Sequence, residues 1–272
     1  MKFEEYKGLR VVVTGVSSGI GKATAQMLID NGAEVIGLSR RVPEDLALAQ
    51  HIYLDLADED CIRKAAEQIE APVDCLFNIA GSVPMTEPIT LLKINFLGQR
   101  LFTELLVEKM HKGSTIVNCS SDGGYGWRRQ YKKTVEFVET KTIEEGIEWY
   151  QAHPEVGHPY AYSKEALDVW SYKLSTKLFK EKGIRVNVES PGAVKTEMLD
   201  LIEGAFGVEM VEPTLDPSGY RSDPKEQALV LLFMGSPENT YTNGSNICVD
   251  GGLWARLVTT GTYHDTEVGT WI

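Results

Sequence analysis

Short apolar runs alternate with segments whose apolar residues recur at helical spacing along almost the whole chain. Residues 9–13 are a β-branched run that stops at Thr14-Gly15. Residues 20–29 follow with a helical period and close at Asn31-Gly32. Residues 35–38, 52–54, 73–77, 115–119, 184–188 and 247–249 have the length and side chains of further strands. Residues 91–110 and 160–181 read as long helices, the second ending at Lys182-Gly183. Short strands separated by helices pair in parallel. The pattern therefore predicts an α/β fold, a doubly wound parallel sheet of about seven strands with helices on both faces.

Two segments break the rhythm. Residues 125–159 are rich in charge and aromatics, and residues 199–223 mix apolar side chains with Gly and Pro. Both follow the C-terminal ends of strands, where open α/β sheets bind ligands, and long connections there serve as lids. The first is expected as an insert and the second as a substrate loop. No repeat or linker divides the chain, so residues 1–272 are expected to form a single domain.

Composition narrows the function classes. The 272 residues are 43% apolar, enough for a stable core. A net charge of −12 argues against nucleic acid and anionic membrane as partners, since both carry phosphate. No run approaches the roughly eighteen apolar residues of a membrane span, and residues 1–8, with Glu4 and Glu5, do not resemble a secretory signal. Cys61, Cys75, Cys119 and Cys248 are scattered with no C-x-x-C pair, which suits free thiols in a reducing cytoplasm and no metal site.

The chemistry begins at Thr14-Gly15-Val16-Ser17-Ser18-Gly19-Ile20-Gly21, between a strand and a helix. Glycines let backbone approach a pyrophosphate, and the helix N-terminus presents free N–H groups to it. The G-K-[S/T] ending of an ATP or GTP loop is absent. The second strand ends at Ser39-Arg40, a hydroxyl and a cation where an NAD site carries an acid. NADP(H) is therefore the expected cofactor, with NAD(H) as the alternative. Tyr160 and Lys164 stand at i and i+4 on one helix, so they share a face. A nearby ammonium lowers a phenol's pKa toward the range useful for acid–base catalysis. Ser121 follows the fifth strand, where its hydroxyl can orient a carbonyl.

Together these residues resemble the short-chain dehydrogenase/reductase superfamily over nearly the whole chain, with a Rossmann-like fold. Asp55-Leu56 is similar to the family's adenine-contacting aspartate segment, and Asn78-Ile79-Ala80-Gly81 to its N-N-A-G segment with Ile79 in place of the second Asn. Asn95, Ser121, Tyr160 and Lys164 match the catalytic positions, and Pro191-Gly192-Ala193-Val194-Lys195-Thr196 the segment flanking the nicotinamide. Asp250-Gly251-Gly252 matches the late strand-end motif. The resemblance implies that Tyr160 is the general acid or base and that Lys164 holds the nicotinamide ribose and lowers the Tyr160 pKa. It also implies that Ser121 binds the substrate oxygen and that Asn95 holds a water leading to solvent. Gly81, Pro191, Gly192, Val194 and Thr196 would border the cofactor.

Ser121 and Tyr160 lie 39 positions apart, longer than the family's usual interval. Helix-spaced apolar residues at Val135/Val138 and Ile143/Ile147/Tyr150 fill the gap. A helical insert before the catalytic helix resembles the 3α-hydroxysteroid dehydrogenase/carbonyl reductase branch. That likeness implies a homodimer rather than a homotetramer, and a bulky apolar substrate such as a hydroxysteroid or bile acid. The competing expectations are a general carbonyl reductase of small ketones and a catalytically silent dinucleotide sensor. The tail from 253 carries Trp254, Tyr263 and Trp271, and the sequence leaves open what these rings pack against.

Overall fold

A computed structural model of the chain describes residues 2–261. Seven strands form one sheet: β1 (Arg10–Thr14), β2 (Glu34–Ser39), β3 (Gln50–Tyr53), β4 (Val73–Asn78), β5 (Met110–Cys119), β6 (Arg185–Pro191) and β7 (Asn246–Val249). Their order is β3-β2-β1-β4-β5-β6-β7 and every pairing is parallel. The chain winds outward from β1 to β3, then crosses back to β4. The topological switch point, where such sheets bind ligands, therefore lies between β1 and β4.

The helices are α1 (Gly19–Asp30), α2 (Glu59–Glu67), α3 (Pro88–Leu92), α4 (Gly98–Val107), α5 (Tyr131–Val138), α6 (Ile143–Ala152), α7 (Pro159–Lys182), α8 (Glu197–Phe206), α9 (Val208–Val211), α10 (Pro224–Gly235) and α11 (Leu253–Thr259). Period-two alternation along the strands splits the core. Val12, Ile36 and Leu76 point to the layer that holds α2 and α4. Val11, Val13, Val35 and Phe77 point to the layer that holds α1 and α10. The apolar period marks α2, through Ile62, Ala65 and Ala66, but not α10, and both have strong caps: Asp58 accepts from Cys61 N, and Asp223 and Glu226 form a capping box with Pro224 as the first residue of α10.

The long helix expected over 91–110 is interrupted. Between α3 and α4, residues Lys93–Leu97 form one π-helical turn, and Asn95 sits within it. The insert is helical, as its spacing predicts, and contributes α5 and α6. With α7 and the π turn it closes a third apolar cluster built on Phe96, Phe137, Ile143, Tyr162, Ala166 and Trp170. Among the described residues all four cysteines are free thiols, and no helix is long and apolar enough to cross a membrane. Trp254 packs on Tyr125 with ring centroids 4.9 Å apart, whereas Tyr263 and Trp271 lie outside the described residues.

Candidate active site

The glycine turn folds as its sequence requires. Gly15 adopts φ +80°, and a Cβ there would lie 3.0 Å from the backbone of Ala80. This contact joins the turn after β1 to the loop after β4. Thr14 fastens the same junction, its Oγ1 accepting from Ile79 N at 2.9 Å and Ala80 N at 3.1 Å. At Gly21 a Cβ would stand 2.3 Å from Gly15 O, so only glycine lets α1 start this close to the turn. Ser18 is the N-cap residue but its side chain does not cap, which leaves the first-turn N–H groups of α1 without a side-chain acceptor. Thr196 reaches over from α8, with its Cγ2 3.0 Å from where a Gly19 Cβ would be. Ser17 lines an adjoining cleft of about 370 Å³ with Lys22, Arg41 and Glu197, while Ile20 packs into the α1 layer. A backbone cradle without room for Cβ atoms, at the N-terminus of a twelve-residue helix, fits a dinucleotide pyrophosphate.

At the end of β2 the predicted pair divides. Ser39 is buried, donates to Arg41 O at 2.6 Å and lies 3.0 Å from His51 Nε2, so its hydroxyl is engaged within the protein. Arg40 is exposed and makes no ion pair among the described residues. Arg41 pairs with Glu197 at 3.0 Å and Lys22 with Asp45 at 2.6 Å. Sequence reading passed over both of these cations, although Arg41 directly follows Arg40.

Asp55 Oδ1 accepts from Ala57 N at 2.9 Å, which orders the bend after β3, and Leu56 is buried in the core. Asn78 turns inward: fully buried, it donates to Thr103 Oγ1 and Asn118 Oδ1, both at 2.8 Å. Its side chain thus ties β4 to β5 and α4 rather than facing the cleft. Ala80 O accepts from Gln99 Nε2 at 2.6 Å. Gly81 sits between two catalytic candidates, since a Cβ there would lie 3.5 Å from Asn95 Oδ1 and 3.9 Å from Lys164 Nζ. Pro191 ends β6, Gly192 N donates to Val249 O at 3.2 Å, and Val194 is buried and bridges to Ser222.

The four catalytic candidates converge. Tyr160 Oη lies 3.3 Å from Ser121 Oγ. Lys164 is buried on the same face of α7 and donates to Cys119 O at 3.1 Å. Asn95 Oδ1 accepts from Ser82 N at 2.8 Å, which fastens the loop after β4 to the π turn. His158 starts α7 by accepting the Tyr160 N–H at 3.2 Å. Tyr162, two residues on, lies in the aromatic cluster under the insert, away from Ser121.

Burial dominates the electrostatics of the pair. Burial pushes the Tyr160 phenol up to about 12; the Ser121 bond opposes this, and the charges of Asp122 and Cys119 add to it. Burial also lowers the Lys164 pKa. Desolvation acts on both groups in the same sense, because it disfavours the phenolate and the ammonium alike. Sequence reading also missed Asp122. Ser121 donates its single proton to Asp122 Oδ1 at 2.7 Å and accepts from Gly123 N at 3.1 Å. Burial raises the Asp122 pKa, and a protonated Asp122 would free the Ser121 hydroxyl to donate elsewhere.

Known proteins resemble the chain over most of its length. The short chain dehydrogenase model matches residues 10–132, and a model described as enoyl-(acyl carrier protein) reductase matches 148–254. A coniferyl-alcohol dehydrogenase of a Pseudomonas species is 36% identical, over 92% of this chain and 98% of that protein. The chain belongs to the short-chain dehydrogenase/reductase superfamily. It is an oxidoreductase of alcohols and carbonyls, in a family that binds NAD(P). The 3-alpha-hydroxysteroid dehydrogenase/carbonyl reductase of Comamonas testosteroni is 28% identical, over 91% of this chain and 97% of its own length. A 3-alpha-hydroxysteroid dehydrogenase from another Pseudomonas species, solved with NADH, has the same fold: TM-score 0.78, 22% identity, 94% of this chain and 100% of that one.

Proposed function

We propose that this chain interconverts a bulky apolar alcohol and its carbonyl compound with NADP(H), using Tyr160 as the proton-transfer group. The 3.3 Å approach of Tyr160 Oη to Ser121 Oγ, beside the glycine cradle, carries this reading. The dinucleotide supplies the hydride acceptor or donor. In the oxidation direction Tyr160, as the phenolate, takes the alcohol proton on Oη while Ser121 Oγ holds the same oxygen in place. In reduction the phenol returns that proton. Lys164 offers a buried positive charge beside the reacting groups, and Asn95 steadies the loop that carries Gly81.

The cofactor preference is supported by the exposed Arg40 and by the lack of a carboxylate at the end of β2. The substrate class is supported by exposed apolar side chains on the segment after β6, namely Leu201, Phe206, Val208 and Met210. It is also supported by the relatives named for coniferyl alcohol and for a 3-alpha-hydroxysteroid. A homodimer in the cytoplasm completes the reading. The test is steady-state turnover of the purified protein with NADP⁺ and NAD⁺ against coniferyl alcohol, 3α-hydroxysteroids and small secondary alcohols. Higher kcat/KM with NADP⁺ and a bulky alcohol is expected. Preference for the small alcohols would overturn the substrate class, preference for NAD⁺ the cofactor assignment, and no turnover at all the catalytic reading.

A further inference from the structure

The cleft beside the glycine turn is spanned by an ion pair that the mechanism above does not use. Its walls are Ser17 of the turn, Lys22 of α1, the stretch from Arg41 to Asp45 after β2, and Glu197 at the start of α8. Arg41 Nη2 donates to Glu197 Oε2 at 3.0 Å, although the two residues are 156 positions apart. The pair therefore joins the end of β2 to the helix after β6. Thr196, the N-cap of α8, already rests against Gly19, so the first residues of α8 are held both to the turn and to the end of β2. Ser39 Oγ donates to Arg41 O at 2.6 Å, which fixes the Arg41 backbone. The side chains of Arg41 and Glu197 are nevertheless 67% and 66% exposed, so packing does not hold them in this arrangement.

An exposed guanidinium–carboxylate pair is weak, because water screens it and two long side chains lose freedom. A phosphate monoester carries about two negative charges at neutral pH and offers three oxygens to the planar fork of an arginine. In this cleft it would outbid a single carboxylate. The carboxylate it displaces would not be stranded, since Glu197 is exposed and lies in the first turn of α8, where the helix N-terminus favours negative charge. We propose that Glu197 is an internal competitor for Arg41. Arg41 stays on Glu197 until it turns to the 2′-phosphate of a bound cofactor, and that exchange unlatches α8 from the end of β2. Glu197 thereby sets how strongly the chain selects the phosphorylated dinucleotide, and α8 responds to which dinucleotide is bound. A dinucleotide without the 2′-phosphate leaves the pair in place. This rests on the NADP(H) reading above and adds Arg41 to Arg40 as a cation that recognises the phosphate.

Calorimetric binding of NADP⁺ and NAD⁺ to the full chain tests the exchange without any need for turnover. Glu197→Gln should tighten NADP⁺ by up to about fivefold and leave NAD⁺ unchanged. Arg41→Gln should weaken NADP⁺ by about tenfold. The gain from Glu197→Gln should vanish in the double variant, where no guanidinium is left to compete for. Both positions are exposed, so the variants are expected to fold. An ion pair that serves only as a strut would move both single variants in the same direction, and that result overturns the proposal. So does a gain that persists without Arg41, which would be simple repulsion between two anions. Amide hydrogen exchange over residues 197–206 should be faster with NADP⁺ bound than with NAD⁺ in the parent protein, and equal in Glu197→Gln. Equal exchange in the parent overturns the unlatching. A parent that binds NAD⁺ more tightly than NADP⁺ overturns the cofactor assignment, whereas the opposite signs of the two single variants decide the competition by themselves.

Discussion

The two sides of α7 face different materials. One side carries Tyr160, Lys164, Asp168 and Ser171 against the ends of β5 and β6, where side-chain hydrogen bonds hold the groups. The other carries Tyr162, Ala166 and Trp170 against Phe96, Phe137 and the rest of the insert, where packing alone holds the groups. Arg100 joins the insert to the body from beneath, donating to Thr140 O at 2.8 Å and Thr142 O at 3.2 Å. A helix buried on both sides can keep a phenol and an ammonium in fixed register, because neither face is free to shift. The comparison teaches that the insert acts on the chemistry indirectly, by immobilising the helix that bears it.

Substitutions on either side should separate these roles. Tyr160→Phe removes only the transferable proton, so turnover should fall by about 10²–10⁴-fold while the thermal unfolding midpoint stays put. An unchanged rate would remove Tyr160 from the mechanism. On the apolar side, Phe137→Ala should destabilise the fold by about 3–5 kcal/mol, read by denaturant unfolding, with turnover per folded molecule reduced far less than in Tyr160→Phe. A comparable loss of turnover would show that the two sides are not separable.

The polar side should also leave a mark on stability as pH changes. The folded values of about 7 for Asp168 and about 8 for Glu189 lie above the ordinary 3.8 and 4.5. Between those limits the folded chain holds protons that the unfolded chain has released. The contribution is therefore fully present below about pH 4 and is lost as pH rises through 7 to 8. Unfolding midpoints followed from pH 5 to 8 should fall less steeply in an Asp168→Asn/Glu189→Gln double variant than in the parent. The smallest effect is expected at Tyr162→Phe. The Tyr162 hydroxyl is buried with no hydrogen-bond partner among the described residues, so its removal should change stability by less than about 1 kcal/mol and leave kinetics unaltered.

Much of this was written locally. The inner strands follow from apolar runs, because a strand buried on both faces needs continuous β-branched side chains, while the less buried β3 and β7 show shorter ones. The glycine turn follows from residues whose Cβ atoms would collide with backbone. Tyr160 and Lys164 share a face because a helix repeats every 3.6 residues. The length of the insert and its helical spacing were equally open to reading.

What only the tertiary structure decided depends on neighbours far away in the chain. Asn78 looks like a cleft residue in its motif, yet Asn118, 40 positions later, draws it inward. Ser39 looks available to a ligand until His51 and Arg41 O engage its hydroxyl. Asp168 and Glu189 are unremarked acids in the sequence and are buried only because α7 packs over β5 and β6. Burial is a property of the assembled layers, and it sets the protonation of Tyr160, Lys164 and the two carboxyls together. The residues and their spacing are local facts, whereas the dielectric around them belongs to the fold.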